Sequence, residues 1–447
     1  MRLIVSRSAV IASLLLALVV TTAARNRPHY GGTLRVACAA DPVKSPNSPA
    51  RKLMFDTLTQ VDANGQLRPG LATSWESQNA NHHWQFRLRS GVRLHGGSLL
   101  TSEGVAKSLA ESCGKCGWRV RPQGDSVMVT SDAPLPGLPA ILARTRYAIT
   151  FDTPDGAMQG TGPFKLSTVS NGIAFLTAND DYWQGRPFVN AVEVHGNRSL
   201  RQQWMEFSAG KLDVVEVPPD LLRDAQQDRI PMIVSARPTE LVALTISDTQ
   251  LNNEHLRESL ALVLDRASLF TVIFQKQGEI TASLLPSALS GYEFLFLTAA
   301  DPARSRELRG GQTPPPLRLA VDPSDRGLQL TADRLALNLR DAGWNVKVVP
   351  QTTNANAELS LRRIHLEAAD AASALREMLE PFGAGPVEDT SDPSVLYRAE
   401  HTFLQSNTMI PLLYLPKAYG VSGRVHDLSL APDGTPRYAG ASLEDGQ

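Results

Sequence analysis

Cys113-Gly114-Lys115-Cys116 sets two thiols three residues apart, a spacing that lets both sulfurs reach one point. Such a pair serves as a local disulfide, a redox couple or half of a metal knuckle. A structural zinc site needs four ligands, and the chain has one other cysteine, Cys38, with His82-His83 as the alternative partners. A thioredoxin-like couple would also sit at a helix start in a matching fold. The expectation is a Cys113–Cys116 disulfide closing a surface turn, with no bound metal and no cofactor. Asp180-Asp181 is a second acidic candidate, but adjacent carboxylates on an extended chain point to opposite sides, so turn residues are expected there. Leu94-His95-Gly96-Gly97-Ser98 lacks the Gly-Lys-Ser/Thr ending of a phosphate loop and reads as a plain turn. Neither Gly-x-Ser-x-Gly nor His-Glu-x-x-His occurs, so the sequence assembles no nucleophile and the chain is not expected to be an enzyme. Asp370 precedes the helically spaced Ala371, Ala374, Leu375 and Met378, where it can cap a helix or meet a ligand.

The elements that must position these residues are mixed α and β. Leu34 and Val36 share one face of a first strand, and Trp84, Phe86 and Leu88 share a face of His83 to Leu88. A helix should begin at Thr101 or Ser102, with Val105 and Leu109 four apart and Gly104 weakening it. Leu256, Leu260, Val263 and Leu264 predict a half-buried helix. Leu317, Leu319 and Val321 alternate as a strand; Leu328, Ala332, Leu335, Leu339 and Ala342 run helically to Gly343; Trp344, Val346 and Val348 alternate again. Asp392-Pro393 then opens a helix before the apolar strand Ile410 to Leu415.

The whole chain bounds the function. A length of 447 residues exceeds one compact core, and 42% hydrophobic with 20% charged residues is ordinary for globular proteins. Arg2 and Arg7 precede an apolar run from Val10 to Val20 and the small residues Thr21 to Ala24, the order of a secretory leader cleaved after Ala24; an uncleaved signal anchor is the alternative. Removing 1–24 takes 44 basic residues to 42 against 45 acidic ones, a formal charge of −3, which argues against nucleic-acid binding. The first cysteine, Cys38, lies well downstream of the leader, so no lipid anchor is expected.

Several ordered blocks resemble the family 5 extracellular solute-binding proteins, the group of oligopeptide-, dipeptide- and nickel-binding receptors. They are Tyr30 to Val36, Phe55-Asp56-Thr57-Leu58, Gly65 to Glu76, Trp84 to Leu109, Gly160 to Leu166, Asn179 to Trp183, Ala209 to Val215, Arg257 to Arg266 and Ile410 to Tyr414. The resemblance implies an α/β, two-lobed, type II periplasmic-binding-protein-like fold with an extra subdomain inserted in the first lobe. It divides the chain into a leader at 1–24, a first lobe at 25–240 with the subdomain at about 42–158, a shortened second lobe at 241–410 and a return segment at 411–447. Crossings between lobes are expected near Pro238 to Ile246 and Met409 to Val421. The implied function is a periplasmic, monomeric receptor that closes on a small, peptide-like ligand and passes it to an ABC transporter permease. Ligand contacts implied by position are Ala39, Ala40 and Asp41 after the first strand, with Asp370 for an ammonium group and Arg362 for a carboxylate. The family's Trp, Asp-Tyr and Asp-Pro run before the final strands is absent. Two other readings follow: a degenerate scaffold acting as a sensor or interaction module, and a nickel receptor or metal enzyme using Cys113, Cys116 and the histidines.

Overall fold

The computed structural model describes residues 30–45, 48–114, 116–153, 158–247, 251–292, 295–351, 357–383, 387, 390 and 392–444. The leader at 1–24 lies outside the described residues. No helix among the described residues is long and apolar enough to cross a membrane.

The first lobe is built on a seven-stranded sheet in the order Phe164–Ser170, Ile173–Ala178, Ala191–His195, Thr33–Ala37, Val214–Glu216, Ala418–Val421, Met232–Val234. Thr33–Ala37 is central and runs parallel to both neighbours. Its alternation sends Leu34 and Val36 into a core with Leu176, Val192, Val194 and Tyr438, all at or near zero exposure. Arg35 turns the other way and shares Asp213 with Arg424, whose Nε and Nη2 lie 2.7 and 2.6 Å from its two oxygens. Asp213 is almost fully buried, which alone would raise its pKa; the hydrogen bonds from Arg424 and Arg35 win and hold it below the usual carboxylate range.

The inserted subdomain carries the sheet Ala72–Gln78, His83–Leu88, Ser126–Ser131, Trp118–Gln123 and the helix Ser102–Cys113. Thr101 caps that helix by accepting from Gly104 N–H at 3.2 Å. Gly104, which sequence alone marks as a weakness, is required by packing: a Cβ there would lie 2.4 Å from the Phe151 ring. The subdomain is seamed to the first lobe through buried Asp56, whose carboxylate accepts from Thr161 (2.9 Å), Trp183 (2.9 Å) and Tyr182 (3.2 Å). Three separated sequence blocks thus converge on one carboxylate.

The second lobe has a six-stranded sheet in the order Glu279–Ile280, Met409–Leu415, Glu240–Ile246, Leu359–His365, Leu317–Val321, Val346–Pro350. Helix Arg326–Asp341 covers one face with Leu328, Ala332, Leu335 and Leu339. Helices Ala371–Leu379 and Pro393–Gln405 cover the other. The helix expected through Leu264 stops at Ala261; Val263 and Leu264 are still buried, in a turn before Asp265 caps the short helix Arg266–Ser268. The chain leaves the first sheet after Val234, enters the second at Glu240, and returns between Leu415 and Ala418 through Pro416-Lys417.

Candidate functional site

A cavity of about 540 Å³ opens where the subdomain, the first lobe and the second lobe meet. That volume suits a small solute. Its charged lining includes Asp433 from the first lobe and Lys52 from helix Pro49–Met54, which packs into the first-lobe core although its numbers fall in the stretch expected for the subdomain, with Arg144 from the subdomain and Glu367 and Asp370 from the second lobe.

On the first-lobe wall, Ser48 caps the short helix Pro49–Met54 and so presents Lys52, whose Nζ meets Asp433 at 3.3 Å and the Thr435 hydroxyl at 3.1 Å. Burial alone would raise the Asp433 carboxyl; Lys52, His365 and Thr435 instead hold it well below the usual range.

On the second-lobe wall, Asp370 caps helix Ala371–Leu379 by accepting from Ser373 N–H at 2.8 Å, and the same residue lines the cavity. The Ser373 hydroxyl is buried beside it with no hydrogen-bond partner among the described residues. Glu377, one helical turn further on, accepts from Glu367 N–H (3.3 Å) and Ala368 N–H (3.1 Å) and pins the loop ahead of the helix.

Contacts across the mouth join the subdomain to the second lobe. Arg144 lies 3.4 Å from Glu377 and 3.8 Å from Glu380, Arg146 lies 3.1 Å from Glu380, and Thr145 N–H donates to Glu367 at 3.3 Å. A second charged cluster lies by the crossings. Arg363 reaches Glu216 (3.5 Å), Glu240 (3.7 Å) and Asp325 (3.4 Å), Lys417 reaches Glu240 (3.2 Å), and His365 stands between Glu240 (2.7 Å) and Asp433 (3.6 Å). Burial opposes every charge in this group; the paired cations nevertheless hold Glu240 below its ordinary pKa, and the paired carboxylates hold Lys417 above its own.

Of the five ligand-contact residues read from the sequence, Asp370 alone lines this cavity. Ala39 and Ala40 are exposed, and Asp41 accepts from Val43 N–H (2.9 Å) and Lys44 N–H (2.7 Å) of its own turn. Arg362 is exposed beside Ser360; its strand neighbour Arg363 takes the inter-lobe position. Period-two alternation pairs Arg363 with His365 on one face and was the available signal for both. Arg144, Lys52 and Asp433 sit on short elements or loops with no local pattern to mark them. Cys113 and Cys116 form a disulfide with Cα atoms 5.2 Å apart. Cys38 is free, its thiol pushed up to about 11 by burial. Among the described residues no three His, Cys, Asp or Glu side chains converge as a metal site. His95 accepts from Gly160 N–H at 3.4 Å, its other ring nitrogen lies 3.1 Å from the Gly162 carbonyl, and burial lowers its pKa to about 4, so it is a neutral structural ring.

Residues 120–386, more than half the chain, match the family described as bacterial extracellular solute-binding proteins, family 5 middle. A probable ABC transporter periplasmic-binding protein SapA of Escherichia coli (strain K12) is 32% identical over 157 residues, which span 33% of this chain and 28% of that protein. A probable di/tripeptide-binding protein 5 of Pseudomonas aeruginosa (strain UCBPP-PA14) is 24% identical over 387 residues, 72% of this chain and 73% of that one. The oligopeptide-binding protein AppA of Bacillus subtilis, solved with a nonapeptide, superposes with a TM-score of 0.79 at 15% identity, covering 94% of this chain and 100% of that one.

Proposed function

The chain belongs to the family 5 bacterial extracellular solute-binding proteins, and from that premise we propose that it captures a small, peptide-like solute between its lobes and delivers it to an ABC transporter permease. The carrying observation is that one cavity takes its walls from the subdomain, the first lobe and the second lobe, so a solute there touches both sides of the two crossings. A ligand contacting both lobes favours the closed arrangement by its differential affinity. In this reading Asp370, with Glu367 beside it, receives a ligand ammonium group, and the unpartnered Ser373 hydroxyl offers a further polar contact. The guanidinium facing the cavity is Arg144 rather than Arg362. The protein acts as an exported periplasmic monomer, and its role is binding rather than catalysis.

The test is thermal unfolding of the chain from Arg25 onward, refolded to strip carried-over ligand, against di- to pentapeptides, nickel and small sugars. Binding to the native state must raise the midpoint. Asp370→Asn keeps an N-cap acceptor while removing the charge, so it should abolish the peptide shift and leave the unliganded midpoint nearly unchanged. A flat response across the library from folded protein would sink the receptor reading and favour the degenerate scaffold.

A further inference from the structure

His365 is the last residue of strand Leu359–His365 and pairs in register with Glu240 at the start of the neighbouring strand. Its ring faces a carboxylate on each side: Nδ1 lies 2.7 Å from Glu240 of the second lobe, and Nε2 lies 3.6 Å from Asp433 of the return segment in the first lobe. All three side chains are 15% exposed or less. A neutral imidazole has one N–H and one lone pair, so one of its nitrogens would point a lone pair at a carboxylate. Neither ring nitrogen is aligned for a hydrogen bond, so the contacts are ion pairs, and only the imidazolium sets positive charge against both carboxylates.

We propose that His365 couples lobe closure to proton uptake: as the imidazolium it ties Glu240 of the second lobe to Asp433 of the first, and loss of that proton releases the tie at the wall of the ligand cavity. The inference rests on the hinged-receptor reading above, and it adds a proton to the species that the closed state holds.

The groups facing the ring come from several elements. Lys417, in the crossing, shares Glu240 at 3.2 Å, and Lys52 of the first lobe shares Asp433 at 3.3 Å. Arg363, on the same strand, contacts Glu240, Glu216 and Asp325. Among these directly paired groups Glu216, Glu240, Asp325 and Asp433 outnumber Arg363, Lys417 and Lys52 by one, and the imidazolium supplies the missing positive charge. Arg237 acts on Asp433 only through longer-range attraction, and Asp220 is occupied by Arg326 at 4.0 Å. Burial and Lys417 oppose charge on the ring; Asp433 and Glu240 favour it and prevail, leaving its pKa above the ordinary imidazole value. A group whose pKa is raised in the closed state stabilises that state fully below its open-state pKa and ceases to do so as pH rises through the raised value. By linkage, a solute that favours closure draws a proton onto His365, and acidification favours retention of the solute.

The experiment records the ring titration of His365 by ¹H–¹⁵N NMR alongside the radius of gyration by small-angle X-ray scattering, from pH 5 to 9, on the whole chain. The expected result is a rise in radius of gyration that tracks the His365 titration in the unmodified protein, and no such step in His365→Gln. Asp433→Asn removes only the first-lobe end of the tie; it should lower the ring pKa and abolish the step even if His365→Gln folds poorly. A radius that stays constant while the ring titrates, or a step that persists unchanged in Asp433→Asn, overturns the proposal. A protein that shows the step but binds nothing in the ligand screen keeps the proton-linked closure and loses the receptor reading alone.

Discussion

Replacing Arg144 with Gln tests whether the mouth contacts hold the cleft shut. The Arg144 and Glu377 side chains are 16% and 10% exposed, and Glu377 also anchors the loop ahead of helix Ala371–Leu379 through two backbone N–H groups. Breaking a fully buried pair by removing one partner costs about 3–5 kcal/mol, because the other charge is left uncompensated. Here Glu377 regains water when the lobes part, so roughly 2 kcal/mol against the closed form is the fair figure, a drop of about 30-fold in the closed-to-open ratio. Arg146 and Glu380 are 40% and 52% exposed, so Arg146→Gln should shift the ratio by less than about fivefold after solvent screening. The assay is pulsed dipolar spectroscopy between spin labels at the exposed positions Ser77 and Arg398, with Cys38→Ser as background. Adding Glu377→Gln to Arg144→Gln removes the stranded charge while keeping an acceptor for the loop, and should return the ratio to within about threefold of the parent. Equal effects of Arg144→Gln and Arg146→Gln, or no rescue in the double variant, would refute a latch built on the Arg144–Glu377 pair.

Three further outcomes follow from particular contacts. Glu400 is fully buried, accepts from Leu285 N–H at 3.2 Å and from Leu284 N–H and the Tyr292 hydroxyl, and is pushed up to about 7 by burial. A carboxyl raised in the folded state costs stability as pH climbs from its unfolded value to its folded one, so the urea stability of the parent should fall relative to Glu400→Gln by about 3 kcal/mol between pH 4.5 and 8; a pH-independent difference would disprove it. Gly162→Ala would drive a Cβ to within 2.5 Å of the Leu53 carbonyl oxygen, backbone that cannot swing aside, and should cost about 1–3 kcal/mol by urea unfolding; an unchanged midpoint would contradict that packing. Asp370→Ala removes the cap on helix Ala371–Leu379 and should cost about 1 kcal/mol, whereas Asp370→Asn should cost little; equal losses would show that the cap is not the stabilising contact.

The fold was legible because its signals are local. Alternation in Leu34 and Val36, the helical spacing from Leu328 to Leu339, and the caps at Thr101, Asp370 and Asp392 each specify an element without reference to distant residues. The helix through Leu264 was over-extended because burial of Val263 and Leu264 mimics helical spacing while the backbone turns towards the cap at Asp265. The site was much less legible. Lys52, Arg144 and Asp433 are far apart in sequence, and what unites them is the docking of three bodies around one cavity. Of Arg362 and Arg363, adjacent and chemically alike, only the strand's facing decides which one turns between the lobes.

The blocks that carry the family resemblance and the residues that line the cavity therefore answer to different physics. Asp56, Thr161, Tyr182, Trp183 and Asp213 are hydrogen-bonded inside seams where any substitution strands a buried polar group. Gly104 and Gly162 are fixed by sub-contact distances to neighbouring atoms. Such positions are constrained by packing and hydrogen bonding whatever the cargo, so they report the clamp. Cavity residues such as Glu367 and Asp370 sit on a loop and a helix start whose backbone is held by Glu377 and by the cap itself. Their outward-facing chemistry can vary without disturbing either seam. A ligand is thus best sought by varying charge at Asp370 and Glu367 on an intact scaffold, and the effect of such changes on affinity, set against an unchanged unfolding midpoint, separates what the clamp needs from what the cargo needs.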